Sequence, residues 1–274
     1  MSLRPTKPLK VGVAGLGAVG MPVARWLDGG VDGLVLAAVS AGDKERAKSR
    51  IADFKTPPPV LDLGGLVDSA DVLLEGLPPE NFAELAEPTI EQGKALVVLT
   101  LTSLLERFDL IERAKETGAT INAATGALVG FDAVRAAAMG EIYSVVMKTR
   151  KPPAGLKKAP FVTEQGIDMD GLSEPICLYK GSVRAAAQKF PANVNVAVAL
   201  SLAGIGPDRT EYEIWADPGV ERNSHNIQVE SDSTSFEMTI AGVPTPENPA
   251  TGKLTPLSAM ATLERLVAPF TVGT

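Results

Sequence analysis

Two residue types are almost missing from this chain of 274 residues: there is one cysteine and one histidine. The lone Cys177 cannot close an internal disulfide, and a cysteine-based zinc site is excluded. Without a histidine cluster no metal centre is expected, and histidine chemistry has a single candidate, His225. Excess positive charge is also lacking: 26 lysines and arginines face 33 aspartates and glutamates, a formal net charge of −7. That balance does not suit a phosphate backbone, so nucleic acid is not an expected partner. Long apolar runs are absent too. The most apolar stretch, Val194 to Leu202, is far short of the roughly 20 residues that span a bilayer. The opening MSLRPTKPLK has neither an apolar core nor a small-residue cleavage site. A soluble, cytoplasmic protein with no membrane partner is the expectation.

The hydrophobic content, 45%, is ample for a buried core. Short apolar runs at 9–14, 34–40, 71–76, 95–100 and 119–124 alternate with helical patterns. That alternation predicts a doubly wound parallel sheet covered on both faces. One helix is read over 103–118, with Ser103 as N-cap and Gly118 as stop. After about residue 125 the pattern changes. A half-exposed strand is read at 143–151 and a helix from about Asn193 to Ala203. Segments 211–218, 225–231 and 235–243 read as antiparallel strands. A Pro-rich connection, 244–256, precedes a last amphipathic helix. The expected architecture is α/β: a dinucleotide-binding domain over 1–124, completed by a C-terminal helix in 255–274. A second domain over 125–254, on a mainly antiparallel sheet, is expected to carry substrate binding and dimerisation.

Gly15, Gly17 and Gly20 form G-x-G-x-x-G, enclosing Ala18 and Val19, directly between a strand and a helix. The first glycine permits a tight turn, the second lets backbone approach a pyrophosphate, and the third lets helix and strand close. These five residues are the expected cofactor contacts. The acidic ribose reader expected about 20 residues on is missing, because Ser40 stands there. Asp43, Lys44 and Arg46 follow, so NAD and NADP both remain open.

Four further segments are specific: ATGALVGFDA (124–133), TRKPPAGL (149–156), FPANVNVAVALSLAGIGPD (190–208) and WADPGVERNSHNIQVES (215–231). With the glycine fingerprint and the tail PENPATGKLTPLSAMATL (246–263), they closely resemble the L-aspartate dehydrogenase family. The resemblance covers most of the chain. It implies a two-domain enzyme, usually a homodimer, that oxidises L-aspartate with NAD or NADP. The product, iminosuccinate, hydrolyses to oxaloacetate and ammonia. Whether that product passes to pyridine nucleotide biosynthesis stays open. Carried over by motif, the catalytic histidine is His225, and Ala127 and Asn193 contact the cofactor. Many family members carry Ser where this chain has Thr125, a substrate-contact candidate that keeps the hydroxyl and adds a methyl.

A dicarboxylate substrate needs cations. Residues 143–158 hold Lys148, Arg150, Lys151, Lys157 and Lys158 and no acid. Strand alternation separates Lys148 and Arg150 from Thr149 and Lys151. Lys151, beside Pro152-Pro153, is the expected substrate contact. A histidine with an ordinary pKa of about 6.5 suits proton transfer at the amine. Asn223 is placed two residues before it to orient the ring or a water. Asp217 reads as an Asx turn before Pro218, and Met139, Met147 and Cys177 as apolar filling. Two other readings stay open. One is a related two-domain amino-acid dehydrogenase or reductase with a different substrate. The other is a non-catalytic NAD(P)-binding sensor.

Overall fold

A computed structural model describes residues 7–245 and 251–273. The Asn-Pro part of the tail segment lies outside the described residues. The chain forms two compact units: Met1–Ala124 with Thr255–Thr271, and Thr125–Leu254 with Val272–Thr274.

The first unit runs β1 (Leu9–Ala14), α1 (Gly20–Asp28), β2 (Leu34–Ser40), α2 (Lys44–Arg50), β3 (Val60–Leu61), α3 (Leu63–Ser69) and β4 (Val72–Glu75). It continues with α4 (Phe82–Glu91), β5 (Ala95–Val98), α5 (Leu101–Glu106), α6 (Asp109–Thr117) and β6 (Thr120–Ala123). Six strands pair in the order β3-β2-β1-β4-β5-β6, all parallel. Their near-continuous apolar sequences follow from burial on both faces. Val11, Val13, Val39, Leu74 and Val97 are fully buried. The strand order reverses between β1 and β4, the position where doubly wound folds bind ligands beyond the strand ends.

The helix read over 103–118 is broken. Arg107 leaves helical geometry, and its guanidinium donates to Asp109 at 2.9 and 2.7 Å and to Glu87 at 2.6 Å. The break is two residues long, so the apolar phase carries across it: Leu104, Leu105, Leu110 and Ala114 are all buried. Ser103 therefore sits inside α5 and caps nothing, while Gly118 (φ 76°) ends α6 in the left-handed region.

Glu75, at the end of β4, is a wholly buried carboxylate. It accepts from the backbone N–H of Leu77, Leu99 and Thr100 and from the Thr100 hydroxyl, at 2.8–3.1 Å. Burial pushes its pKa up, while those donors oppose the shift. It ties the loops after β4 and β5 together.

The second unit contains α7 (Phe131–Ala137), β7 (Ile142–Lys151), α8 (Pro160–Glu164), β8 (Ile176–Ser182), α9 (Val183–Lys189) and α10 (Asn195–Ala203). Then come β9 (Glu211–Ala216), β10 (Ser224–Ser231) and β11 (Ser235–Ala241). The sheet order is β11-β10-β7-β9-β8. Pairing is antiparallel except between β7 and β9. So β9 is parallel to one neighbour and antiparallel to the other, and it does not pair with β10. The strand β8 carries no clear alternation in sequence, so local pattern does not reveal it.

The last helix, α11 (Leu254–Arg265), buries Ala259 and Leu263 in the core of the first unit. Two apolar assignments fail. Met139 is 90% exposed, and Cys177 is exposed, with its Sγ directed to the Tyr179 carbonyl. Met147 is fully buried.

Candidate active site

The turn after β1 is shaped by its glycines. A Cβ on Gly15 would lie 2.3 Å from the Gly76 carbonyl oxygen, and Gly15 has φ +90°. A Cβ on Gly20 would lie 1.8 Å from the Gly15 carbonyl oxygen. Both positions therefore exclude any side chain. Gly17 differs: a Cβ there meets nothing within 4 Å. Its bare backbone borders open space, which a pyrophosphate approaching the N–H groups would need. Ala18 and Val19 lead into α1, whose first turn has no acidic residue and no side-chain cap. Its free N–H groups suit an anion. Arg50 donates to the Leu16 carbonyl and braces the turn from α2. These residues fit a dinucleotide.

At the ribose end, Asp43 caps α2 by accepting from the Arg46 N–H at 2.9 Å. Ser40 is nearly buried, and its carbonyl accepts from the Gly15 N–H at 2.8 Å.

The second unit sorts the basic segment by face. The outward cations are largely neutralised. Arg150 binds Asp217 at 2.7 Å and lies over the Trp215 ring. Lys148 lies 4.0 Å from Glu213, and Lys157 binds Asp170 at 2.5 Å. Asp217 also accepts from the Gly219 N–H at 2.8 Å, closing an Asx turn. The local reversal of charge seen along the sequence is thus mostly paired in three dimensions.

Lys151 points the other way. It is 8% exposed, and its Nζ donates to the Asn193 side-chain oxygen at 3.1 Å and backbone oxygen at 3.3 Å. No carboxylate partner appears among the described residues. Burial alone pulls its pKa down to about 8.

His225 is 3% exposed. It pairs across the β10–β7 ladder with Thr149, whose hydroxyl lies 2.9 Å from Nδ1. Burial, and then the charge of Lys151, push the imidazole pKa down to about 3. The expectation of a histidine titrating near 6.5 therefore does not hold here, because the ring is out of water and beside a cation.

The ring partner is Thr149, not Asn223. Asn223 is half-buried and uses its backbone carbonyl to accept from the Gly242 N–H at 2.8 Å. Thr125 is half-buried too, and its carbonyl accepts from the Leu128 N–H at 3.3 Å. The turn at Gly126 (φ +66°) packs toward Val196 in α10, and Ala127 packs beside Gly252. Asn193 lies in the turn before α10, not within the helix. The second unit thus gathers Lys151, Asn193, Thr149 and His225, with Tyr212 fully buried on the same sheet. Sequence pattern does not single out Thr149 as the partner of the His225 ring. The alternation in 143–151 places Thr149 beside Lys151, but nothing local reveals the register to β10. Among the described residues no group of acids, histidines or cysteines is arranged to hold a metal ion. No helix there is long and apolar enough to cross a membrane.

A nucleotide-binding turn in a parallel sheet, joined in one chain to a unit carrying a buried lysine and histidine, defines a pyridine-nucleotide dehydrogenase. A family model for the homoserine dehydrogenase NAD-binding domain matches residues 15–124, and one for the aspartate dehydrogenase C-terminal region matches 132–266. An L-aspartate dehydrogenase of Bradyrhizobium diazoefficiens is 48% identical, covering 97% of this chain and 94% of the relative. L-aspartate dehydrogenase 3 of Bordetella bronchiseptica is 49% identical, covering 97% and 98%. The chain belongs to the L-aspartate dehydrogenase family. The crystal structure of aspartate dehydrogenase from Thermotoga maritima shares the fold, with a TM-score of 0.71 at 20% identity over 97% of this chain and 99% of that one.

Proposed function

We propose that this chain oxidises L-aspartate, with NAD or NADP, to iminosuccinate, which hydrolyses to oxaloacetate and ammonia. One observation carries the reading: a buried lysine, without a carboxylate partner among the described residues, lies beside a buried, neutral histidine. A buried cation lacking a counter-ion is costly, and a carboxylate that enters and pairs with it relieves that cost. Lys151 thus holds one substrate carboxylate, with Asn193 fixing its ammonium. Thr125 and Asn223 complete the substrate contacts, and Ala127 and Asn193 border the nicotinamide. The bound nicotinamide supplies the hydride acceptor. The protein holds Cα in place, keeps water out during transfer and steadies the amine nitrogen through His225. The substrate reacts as the neutral amine, its ammonium proton released to solvent, and the nitrogen lone pair forms the C=N bond as the hydride leaves Cα.

The end of β2 offers Ser40 and the first turn of α2 offers Lys44 and Arg46, while Asp43 is engaged as a cap. That chemistry suits a 2′-phosphate, so NADP serves at least as well as NAD. The family resemblance supports a homodimer in the cytoplasm.

A panel of L-amino acids, each offered with NAD or NADP and followed by absorbance of the reduced nicotinamide, tests the reading. L-Aspartate is expected to give the strongest signal. A signal only with another amino acid would assign a different substrate. Silence throughout, with cofactor still bound, would make the chain a nucleotide sensor.

A further inference from the structure

We propose that Glu75 is a positioning residue for the dinucleotide, holding the loops after β4 and β5 in the arrangement that takes the nicotinamide half. The proposal rests on the reading of the first unit as a pyridine-nucleotide site and adds a residue to it.

Strand register puts Glu75 at the point where the strand order reverses. It ends β4 and pairs with Ala14, the last residue of β1 before the glycine turn. The next residue, Gly76, donates its N–H to the Ala14 carbonyl at 2.9 Å. The Gly76 carbonyl oxygen lies so near the turn that a Cβ on Gly15 would stand 2.3 Å from it. The loop after β4 is thus laid against the turn that fits the pyrophosphate. In a doubly wound sheet the adenosine half belongs to β1–β3, where the ribose reader follows the fingerprint. The second half, β4–β6, is left to the nicotinamide nucleotide. At those strand ends Gly76, Leu77 and Leu99 are half-buried, while Glu75 and Thr100 are buried. Glu75 therefore acts through the loops and touches no ligand itself.

The loops are fixed by donors that need an acceptor with two oxygens. Oε1 accepts from the Leu77 N–H at 2.8 Å and the Thr100 hydroxyl at 2.9 Å. Oε2 accepts from the N–H of Leu99 at 3.1 Å and of Thr100 at 2.9 Å. Three of these donors are backbone N–H groups, which cannot reverse their role. At least one of them faces each oxygen. A glutamine in this place sets its NH2 against a backbone N–H whichever way it turns, and that N–H is stranded away from water. The count holds for the carboxylic acid as for the carboxylate, because a proton on Oε1 can turn to the Thr100 hydroxyl and leave all three N–H groups with acceptors. Thr100 supports the same reading. It stands at the N-cap position of α5 and makes no side-chain cap bond there. Its hydroxyl serves Glu75 instead and lies 3.3 Å from the Leu77 carbonyl, bridging the two loops. Loops that leave this arrangement lower affinity for the dinucleotide in proportion to the molecules that remain competent.

The test is calorimetric titration of the full chain with a whole cofactor and with its adenosine half, ADP against NAD and 2′-phosphorylated ADP against NADP. Glu75→Gln is expected to raise the Kd of the whole cofactor about tenfold, the weight of one stranded donor. The Kd of the adenosine half should stay within roughly twofold, because the glycine turn and β2 are intact. Thr100→Val removes the hydroxyl and no backbone donor, so it should give the same split at about threefold. General loss of structure would weaken both ligands together. Equal weakening of both, or a folded Glu75→Gln protein with both constants unchanged, would overturn the assignment. Should Glu75→Gln not fold, a Thr100→Val protein with an unchanged Kd for the whole cofactor would overturn it. Failure to oxidise aspartate would count against the proposed reaction alone and leave this binding split standing.

Discussion

Replacing His225 with alanine is expected to lower kcat by roughly 10²–10⁴-fold while leaving the dissociation constant for the cofactor unchanged. The size follows from what is removed: a buried ring, oriented by Thr149 at 2.9 Å and beside a buried cation. The glycine turn that fits the pyrophosphate belongs to the first unit, so cofactor affinity is an internal control. Stability supplies a second control. The ring's folded pKa, about 3, lies below its ordinary 6.5. The unfolded chain therefore binds the proton more readily, and the stability tied to His225 is full above pH 6.5 and is lost as pH falls towards 3. The alanine variant should lose this part of the acid dependence in chemical denaturation. Unchanged turnover with unchanged acid dependence would remove His225 from both roles.

Lys151→Met carries the second large effect, and its two halves have opposite signs. Without the cation, a substrate carboxylate has no partner in the pocket. The loss of a charge-assisted contact of about 3 kcal/mol raises the KM for aspartate by roughly 10²-fold. The same substitution should stabilise the protein at pH 7. The folded pKa of Lys151, about 8, lies below its ordinary 10.5. The folded state thus pays for the charge at every pH below 8, and stability recovers as pH rises from 8 to 10.5. Removing the ammonium, and with it the bonds to Asn193, leaves a net gain of roughly 1–3 kcal/mol. In the wild type, kcat/KM should turn downward as pH rises through about 8, because the free enzyme loses its cation. Lys151→Met should lose that limb. A methionine variant with lower thermal stability and unaltered KM would show that Lys151 is structural.

Much of the first unit is readable from local pattern. The fingerprint works because Gly15 and Gly20 are forced by backbone contacts, and steric need of that kind leaves an unambiguous trace. The parallel strands are legible because burial on both faces demands continuous apolar runs. The broken helix at Arg107 is not legible. A two-residue interruption preserves the apolar phase, and the cause is an arginine that finds Glu87 twenty residues earlier.

In the second unit, sequence separates the faces of 143–151 and singles out Lys151 and His225. It misses Thr149, which meets its partner 76 residues away through a strand register. The same limit explains the basic stretch. Its cations look unopposed along the chain, yet Arg150 and Lys148 find their acids on β9 and beyond. The lone histidine is the opposite case. Scarcity pointed to it, but only its burial shows that it is a neutral ring and not a group poised near pH 6.5.

The central claim, hydride transfer from Cα of aspartate, is tested most directly with L-aspartate carrying deuterium at C2. Mass spectrometry of the reduced cofactor should find one deuterium per turnover, with oxaloacetate and ammonia formed in equal amounts. A reduced cofactor without deuterium, or no reduction at all beside intact cofactor binding, would contradict it.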